Sequence, residues 1–274
     1  MLEKFIYETH SGLRFEGLAN GVYLNYNDLR NYSWSYDTIN SRISRFYRSV
    51  TSRKLPLVIK CDSAEKAIAV KHRLLDLCET DIEAKIPGKI FVGDCYTTGY
   101  ITASSKSEYL ITKQYCKLEL TLTSADPTWY RDQTYVFNPN QLNVSGTGID
   151  YPFDYNFDYK GFSVGKNIVV DSVRGNAFKM RIYGYAENPS VSIGGHTYSV
   201  SGVVGENENL FIDSLSKTIT LTTASGSKMN WFDRRNRESY IFELIQPGQV
   251  DVTWSGSFAF DLTIIERRSE PRWI

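Results

Sequence analysis

Three histidines, four cysteines and scattered carboxylates are the residues with which bond-making chemistry could begin in this 274-residue chain. His10 sits in a turn sequence, His72 on a helical pattern and His196 in a strand pattern after two glycines. None belongs to an H-E-x-x-H zinc site, a deaminase-type H-x-E with its cysteine pair, or a G-x-S-x-G nucleophile turn. Cys61, Cys78, Cys95 and Cys116 lack C-x-x-C spacing, so they read as reduced, buried thiols rather than a disulfide framework or thiolate metal site. Gly161-Phe-Ser-Val-Gly165-Lys166-Asn167 looks superficially like a phosphate loop. Its glycine spacing is one residue short, Asn167 replaces the magnesium-binding hydroxyl, and a β-turn is the better reading. Asp62, Asp76, Asp81 and Glu83 read as a solvated helix face. Asp and Asn at 150–158 have calcium-ligand chemistry but lack the EF-hand Gly and terminal Glu. With no nucleophile–base pair, metal set or cofactor motif, the chain reads as non-enzymatic.

Two groups of side chains suggest binding instead. Trp231, Trp254 and Tyr240 could stack on sugar rings if exposed. Trp254 and Tyr240 fall in strand patterns and read as core, whereas Trp231, in a polar turn region, is the candidate sugar contact. Arg42, Arg45, Arg48, Arg53 and Lys54 form the basic cluster, with Phe46 and Tyr47 inside it. It reads as a solvated edge, or as a rim that passes or contacts a polyanion, weak alone but sizeable when a ring multiplies its charge.

Lys plus Arg and Asp plus Glu both number 31, giving a formal net charge of zero, and neither half has the basic excess of a dedicated nucleic-acid binder. Hydrophobic residues make up 42%, enough for a substantial core, and the 14% aromatic content leans toward strands. No apolar run approaches the roughly 20 residues of a membrane-spanning helix. The first residues do not resemble a secretory signal, which leaves synthesis in a reducing cytoplasm as the expectation.

The elements that would position these residues are mostly strands. Residues 1–60 alternate short apolar runs with turn signals, and Asn20-Gly21 has the chemistry of a hairpin turn. One helix is expected over about 63–79, capped by Asp62 with Glu65 three residues on, its apolar side formed by Ala67, Val70, Leu74, Leu77 and Cys78. Strands are expected at 85–86, 89–92, 96–102, 109–112 and 117–123, the last with Leu118, Leu120 and Leu122 facing one way. Between 138 and 161 turn residues and alternating aromatics suggest a domain junction. From 162 onward seven further strand patterns, at 178–183, 196–200, 209–212, 218–222, 240–245, 250–254 and 258–264, read as a sandwich or barrel.

Several long stretches resemble the distal tail (Dit) proteins of long-tailed, non-contractile phages of Gram-positive hosts. They are Asp28 to Arg48, Ala84 to Ile90 and Leu120 to Tyr130 in the first half, and Asn209 to Ile219, Glu238 to Glu243 and Arg267 to Trp273 in the second. The resemblance covers nearly the whole chain. It implies a mainly β protein, all-β but for one helix. An N-terminal β-sandwich at 1–137 would carry the helix and a hairpin extension and build a ring. A galectin-like β-sandwich at 138–274 would lie on the periphery. It further implies a homo-hexamer at the distal end of a phage or prophage tail, without membrane insertion. The ring would dock the major tail tube protein on one face and a tail-associated protein on the other, with receptor-binding proteins on the periphery and DNA passing through without specific binding. Within this picture Trp34, Arg42, Arg45, Phe46, Tyr47 and Arg48 are the expected ring or tube contacts, and a cell-wall sugar-binding module is the alternative for the second half.

Overall fold

Alternating apolar and polar residues produce a mainly β chain with one α-helix among the residues described in the computed structural model, 4–107, 113–139 and 164–273. Two compact units divide it: Met1–Arg131 with Arg267–Ile274, and Asp132–Glu266. The chain passes between them in β10 (Trp129–Phe137) and again in β21 (Ala259–Arg268).

In the first unit β1 (Ile6–Glu8), β2 (Arg14–Glu16), β7 (Gly88–Val92) and the start of β8 (Cys95–Ser107) form one antiparallel set in the order β2-β1-β7-β8. β3 (Val22–Leu24), β6 (Thr51–Lys60) and β9 (Tyr115–Ser124) form a second, to which the far half of β8 is added. β8 can serve both because its register shifts between Ile101 and Ala103, the bend a bulge produces. Leu55, Leu57 and Ile59 from β6 and Leu118, Leu120 and Leu122 from β9 meet Phe5, Tyr7, Phe15 and Trp129 in one core. The cleanest alternation in the sequence is thus a buried strand as expected.

The helix α1 runs from Ala64 to Ala84, five residues beyond the expected end, and buries Ala67, Val70, Leu74, Cys78 and Asp81. Its cap is Ser63, whose hydroxyl accepts from the Lys66 N–H at 3.2 Å, while Asp62 is exposed. Ser63 takes the place because its extended backbone leaves its oxygen over the third helical N–H. Ser63→Ala is expected to lower the unfolding free energy by about 1 kcal/mol, read by urea denaturation. Lys85, expected in a strand, is the left-handed cap at φ 55° that ends the helix. Asn20-Gly21 is not a hairpin turn: Leu18–Asn20 is a short 3-10 turn and Gly21, at φ 71°, lies where a Cβ would come 2.4 Å from the Lys60 carbonyl. That close approach to β6, rather than a hairpin, is what requires glycine. The expected strand at 109–112 and the junction at 138–161 lie outside the described residues, apart from 138–139.

The second unit is a β-sandwich. One sheet has the order β19 (Lys228–Asn230), β18 (Thr218–Thr222), β17 (Asn209–Asp213), β12 (Ala177–Tyr183), β21. The other has the order β11 (Val164–Val170), β20 (Gly248–Trp254), β14 (Ser190–Ile193), β15 (His196–Ser199). A small pair, β13 (Ala186–Glu187) with β16 (Val203–Val204), completes it. Phe178, Met180, Ile182, Leu210, Ile212, Phe260 and Leu262 from the first sheet and Ile168, Val191, Ile193, Val252 and Trp254 from the second share one core. Residues 240–245, expected as a strand, form a turn with one isolated bridge, Asn176 to Ile245. Their apolar run is used differently: Ile241, Phe242 and Ile245 are buried, while Tyr240 is exposed.

Candidate interaction surface

The basic and aromatic segment forms a hairpin of its own. Among the described residues, β4 (Ser35–Ile39) and β5 (Arg42–Tyr47) pair only with each other. Asn40 and Ser41 make the turn with φ 49° and 61°. Two successive left-handed residues give the primed turn whose twist suits a hairpin. Asp37 and Thr38 mark a register shift that adds local twist.

Among the described residues, none buries the apolar side chains of this hairpin. Ile39 is 65% exposed, Tyr36 and Phe46 are each 58% exposed, and Ile43 is 53% exposed. Along one face Phe46 meets both Trp34 and Tyr36 edge to face at 6.5 Å, and the Arg48 guanidinium lies 4.3 Å from the Trp34 ring. Arg45 is placed over the Tyr47 ring at 5.7 Å. Such contacts order the aromatics without burying them. A two-stranded hairpin is marginal in water alone, and an exposed apolar strand pair with open edges is a template for a partner. Arg42, Arg45, Phe46 and Tyr47 therefore lie exposed on this hairpin, and Trp34 and Arg48 flank its base, Arg48 half-buried.

The root of the hairpin is tied down. Arg48 donates to Thr128 Oγ1 at 2.9 Å and to Ser269 Oγ at 2.7 Å. Thr128 in turn hydrogen-bonds Asp126 through its hydroxyl and, at 3.2 Å, through its backbone N–H. Tyr130 donates to the same carboxylate at 2.7 Å, and Arg267 lies 3.6 Å from it. Partial burial opposes ionisation of Asp126, but the Thr128 and Tyr130 hydrogen bonds and the Arg267 charge outweigh it and hold the carboxyl below its usual range. A depressed folded value means that this contribution is full above the unfolded carboxyl value and fades as pH falls through the folded one. Asp126→Asn is therefore expected to lower the melting temperature at pH 7 and to cost progressively less as the pH falls below the usual carboxylate range, by thermal unfolding across pH. Tyr130 is pushed up to about 12 by burial and by its bond to Asp126.

Two expectations about charge are corrected. Arg53 does not belong to the solvated edge: it is 3% exposed, because it shares the inward parity of Leu55, Leu57 and Ile59 on β6. Asp81 is not on a solvated face. It lies fully buried on the inner side of α1, accepting from Tyr7 Oη, from the His10 N–H at 2.9 Å and at 2.6 Å from His10 Nδ1. Gly88 sits against this group, where a Cβ would come 2.3 Å from Asp81 Oδ2.

Trp231 is also corrected. It is 6% exposed and packs in the core of the second unit, with Arg234 4.6 Å from its ring and its backbone N–H bonded to the Ile219 carbonyl. The polar residues around it cover the ring rather than present it, which removes the stacking face a sugar would need. Trp254 is core as expected, its indole N–H donating to the Phe258 carbonyl at 3.1 Å. His196 Nε2 lies 2.9 Å from the Tyr240 carbonyl and 3.2 Å from Ser239 Oγ, whose own proton goes to the Thr197 carbonyl at 2.6 Å. With Nε2 facing a carbonyl acceptor, this serine–histidine contact is a turn brace rather than a nucleophile–base pair. Gly165, Lys166 and Asn167 lie within β11, so they form no phosphate loop; 161–163 and the acidic 150–158 stretch lie outside the described residues. All four cysteines are buried and none forms a disulfide. Among the described residues no helix is long and apolar enough to cross a membrane.

In fold, this mainly β chain of two units, one holding a helix and an aromatic hairpin, is similar to solved hub and baseplate proteins of phages. The particular likeness is to SPP1 Dit, a paradigm of the hub adsorption apparatus in phages infecting Gram-positive bacteria. The match has a TM-score of 0.57 at 10% identity and covers 98% of this chain and 100% of that one. The phage p2 baseplate in its activated conformation is similar too. Its calcium form matches with a TM-score of 0.62 at 10% identity, covering 99% of this chain and 100% of that one. Its strontium form matches at 0.61 and 12% identity with the same coverage. No protein-family model matches the sequence, and no curated protein matches it.

Proposed function

We propose that the chain is a structural hub of a phage or prophage tail tip, working by assembly and docking rather than catalysis. Six copies close into a ring that links the tail tube to tail-associated and receptor-binding components, with DNA passing through the centre. The first unit builds the ring and the second lies outside it. The observation that carries this reading is the β4–β5 hairpin, an element with open strand edges and unburied aromatics in a chain of this fold. Closed rings need heterologous contacts, and a protruding hairpin supplies them by reaching onto the next copy. A conduit must not grip its cargo, and a net charge of zero is compatible with that.

The test is co-expression with a phage tail-associated protein, followed by light scattering and negative-stain microscopy. Six-fold rings are expected. A strict monomer at all concentrations, alone and with the partner, would remove the proposal.

A further inference from the structure

Two arms lead into and out of the β4–β5 hairpin, residues 28–34 and 48–54, and the segment that follows β21, residues 269–273, touches both. We infer that this segment is a strap that fixes the direction in which the hairpin projects. On the outgoing arm Arg48 donates to Ser269 Oγ at 2.7 Å. On the incoming arm Arg30 Nη1 donates to the Pro271 carbonyl at 3.1 Å and to the Arg272 carbonyl at 3.3 Å, and the guanidinium lies 4.2 Å from the Trp273 ring. A planar guanidinium stacks on a ring while still donating at its edge, which a lysine ammonium cannot do.

The arms also hold each other. Asp28 Oδ1 accepts from the Lys54 N–H at 3.0 Å, Arg53 Nη2 donates to the Asn31 carbonyl at 3.3 Å, and the Arg48 guanidinium lies 4.3 Å from the Trp34 ring. Such contacts close the base but set no direction, because two arms tied only to each other swing as one body. Direction needs an outside anchor on each arm. The outgoing arm leads straight into β6, which pairs with β9 from Thr51 onward, and Arg48 also reaches Thr128 Oγ1 at 2.9 Å. The incoming arm has no strand pairing among the described residues before β4. Leu29, fully buried, holds it from the core, and the strap holds the residue beside it. Pro271 is buried, which seats the strap. Trp273 is 74% exposed, its indole N–H donating to Glu270 Oε1 at 3.3 Å. A ring so exposed adds little to the core, and what it covers is the Arg30 guanidinium. A two-stranded hairpin is marginal in water, so a base fixed in advance lowers the ordering cost of docking.

The test measures backbone amide exchange in the full chain, parent and variants diluted until light scattering gives one mass for all. Arg30→Met is expected to speed exchange across β4 and β5 about ten-fold, while β6 and β9 stay within about two-fold of the parent. Trp273→Ser changes an exposed side chain that folding does not need, and is expected to speed the same two strands about three-fold. Arg30→Lys keeps the charge and a donor but cannot stack, so it is expected to fall between the parent and Arg30→Met. Should Arg30→Met fail to fold, Trp273→Ser decides. Hairpin amides that exchange in the parent at the rate of an open chain, hairpin exchange unchanged in the variants, or equal acceleration in β6 and β9 would overturn the strap. A second readout alone rests on the hub reading: Arg30→Met is expected to weaken ring formation by about the factor seen in exchange, since docking must order the arm afresh. Faster hairpin exchange with an unchanged assembly constant supports the strap and counts against the hairpin as the ring contact, so the two failures are distinguishable.

Discussion

Replacing Asp81 with alanine is expected to cost the first unit about 3–5 kcal/mol, the penalty for breaking a buried, hydrogen-bonded charged network. The carboxylate is fully buried and holds Tyr7 Oη, the His10 N–H and the His10 ring. Removing it leaves three donors without their acceptor, among them the fully buried Tyr7 hydroxyl, and opens a cavity beside Gly88. Burial, then the hydrogen bond to Asp81, raise the Tyr7 pKa, so the phenol stays protonated and remains a donor at any working pH. Burial likewise pushes the neighbouring Cys78 thiol up to about 12 and keeps it neutral. Tyr7→Phe alone should cost less, because the His10 contacts to the carboxylate remain. The double variant should fall short of the sum of the single losses, since both remove the same bond. Urea denaturation of the four proteins measures this cycle. A loss below about 1 kcal/mol for Asp81→Ala would show that the helix is held by its apolar face alone.

The second large effect is on assembly rather than stability. Tyr36→Ser combined with Phe46→Ser is expected to weaken ring formation or partner capture by roughly 100-fold or more, as for two aromatic hot-spot residues. The melting temperature should hardly move, because the two rings touch mainly each other and Trp34 while facing solvent. Arg42→Glu with Arg45→Glu should chiefly slow association and change its salt dependence, since both arginines are exposed on the same element. Sedimentation equilibrium and circular dichroism on the same samples separate the two effects. An assembly constant equal to that of the parent, with the fold retained, would show that the hairpin is not the contact.

Local periodicity determined much of the architecture. Period-two alternation specified β9, β12, β17, β18 and β20, and a 3.6-residue apolar repeat specified α1, because burying one face is the dominant force on each element. The hairpin residues were legible as a group from their arginine and aromatic density. Their turn was not, since Asn40-Ser41 lacks the glycine that usually announces a primed turn.

Tertiary structure decided what single residues do. Asp81 and Arg53 look like surface charges in sequence, yet each keeps the inward phase of its element, and only the packed neighbours show where its hydrogen bonds go. Parity was the available signal: Arg53 is two residues before Leu55, and Asp81 lies three after Cys78. Trp231 is likewise buried against expectation: polar residues surround it in sequence, yet it packs in the core of the second unit. Sequence fixes which face a residue takes, since that depends on near neighbours. Whether that face meets oil, a counter-charge or water depends on chain segments tens to hundreds of residues away, and these meet only once the fold is complete.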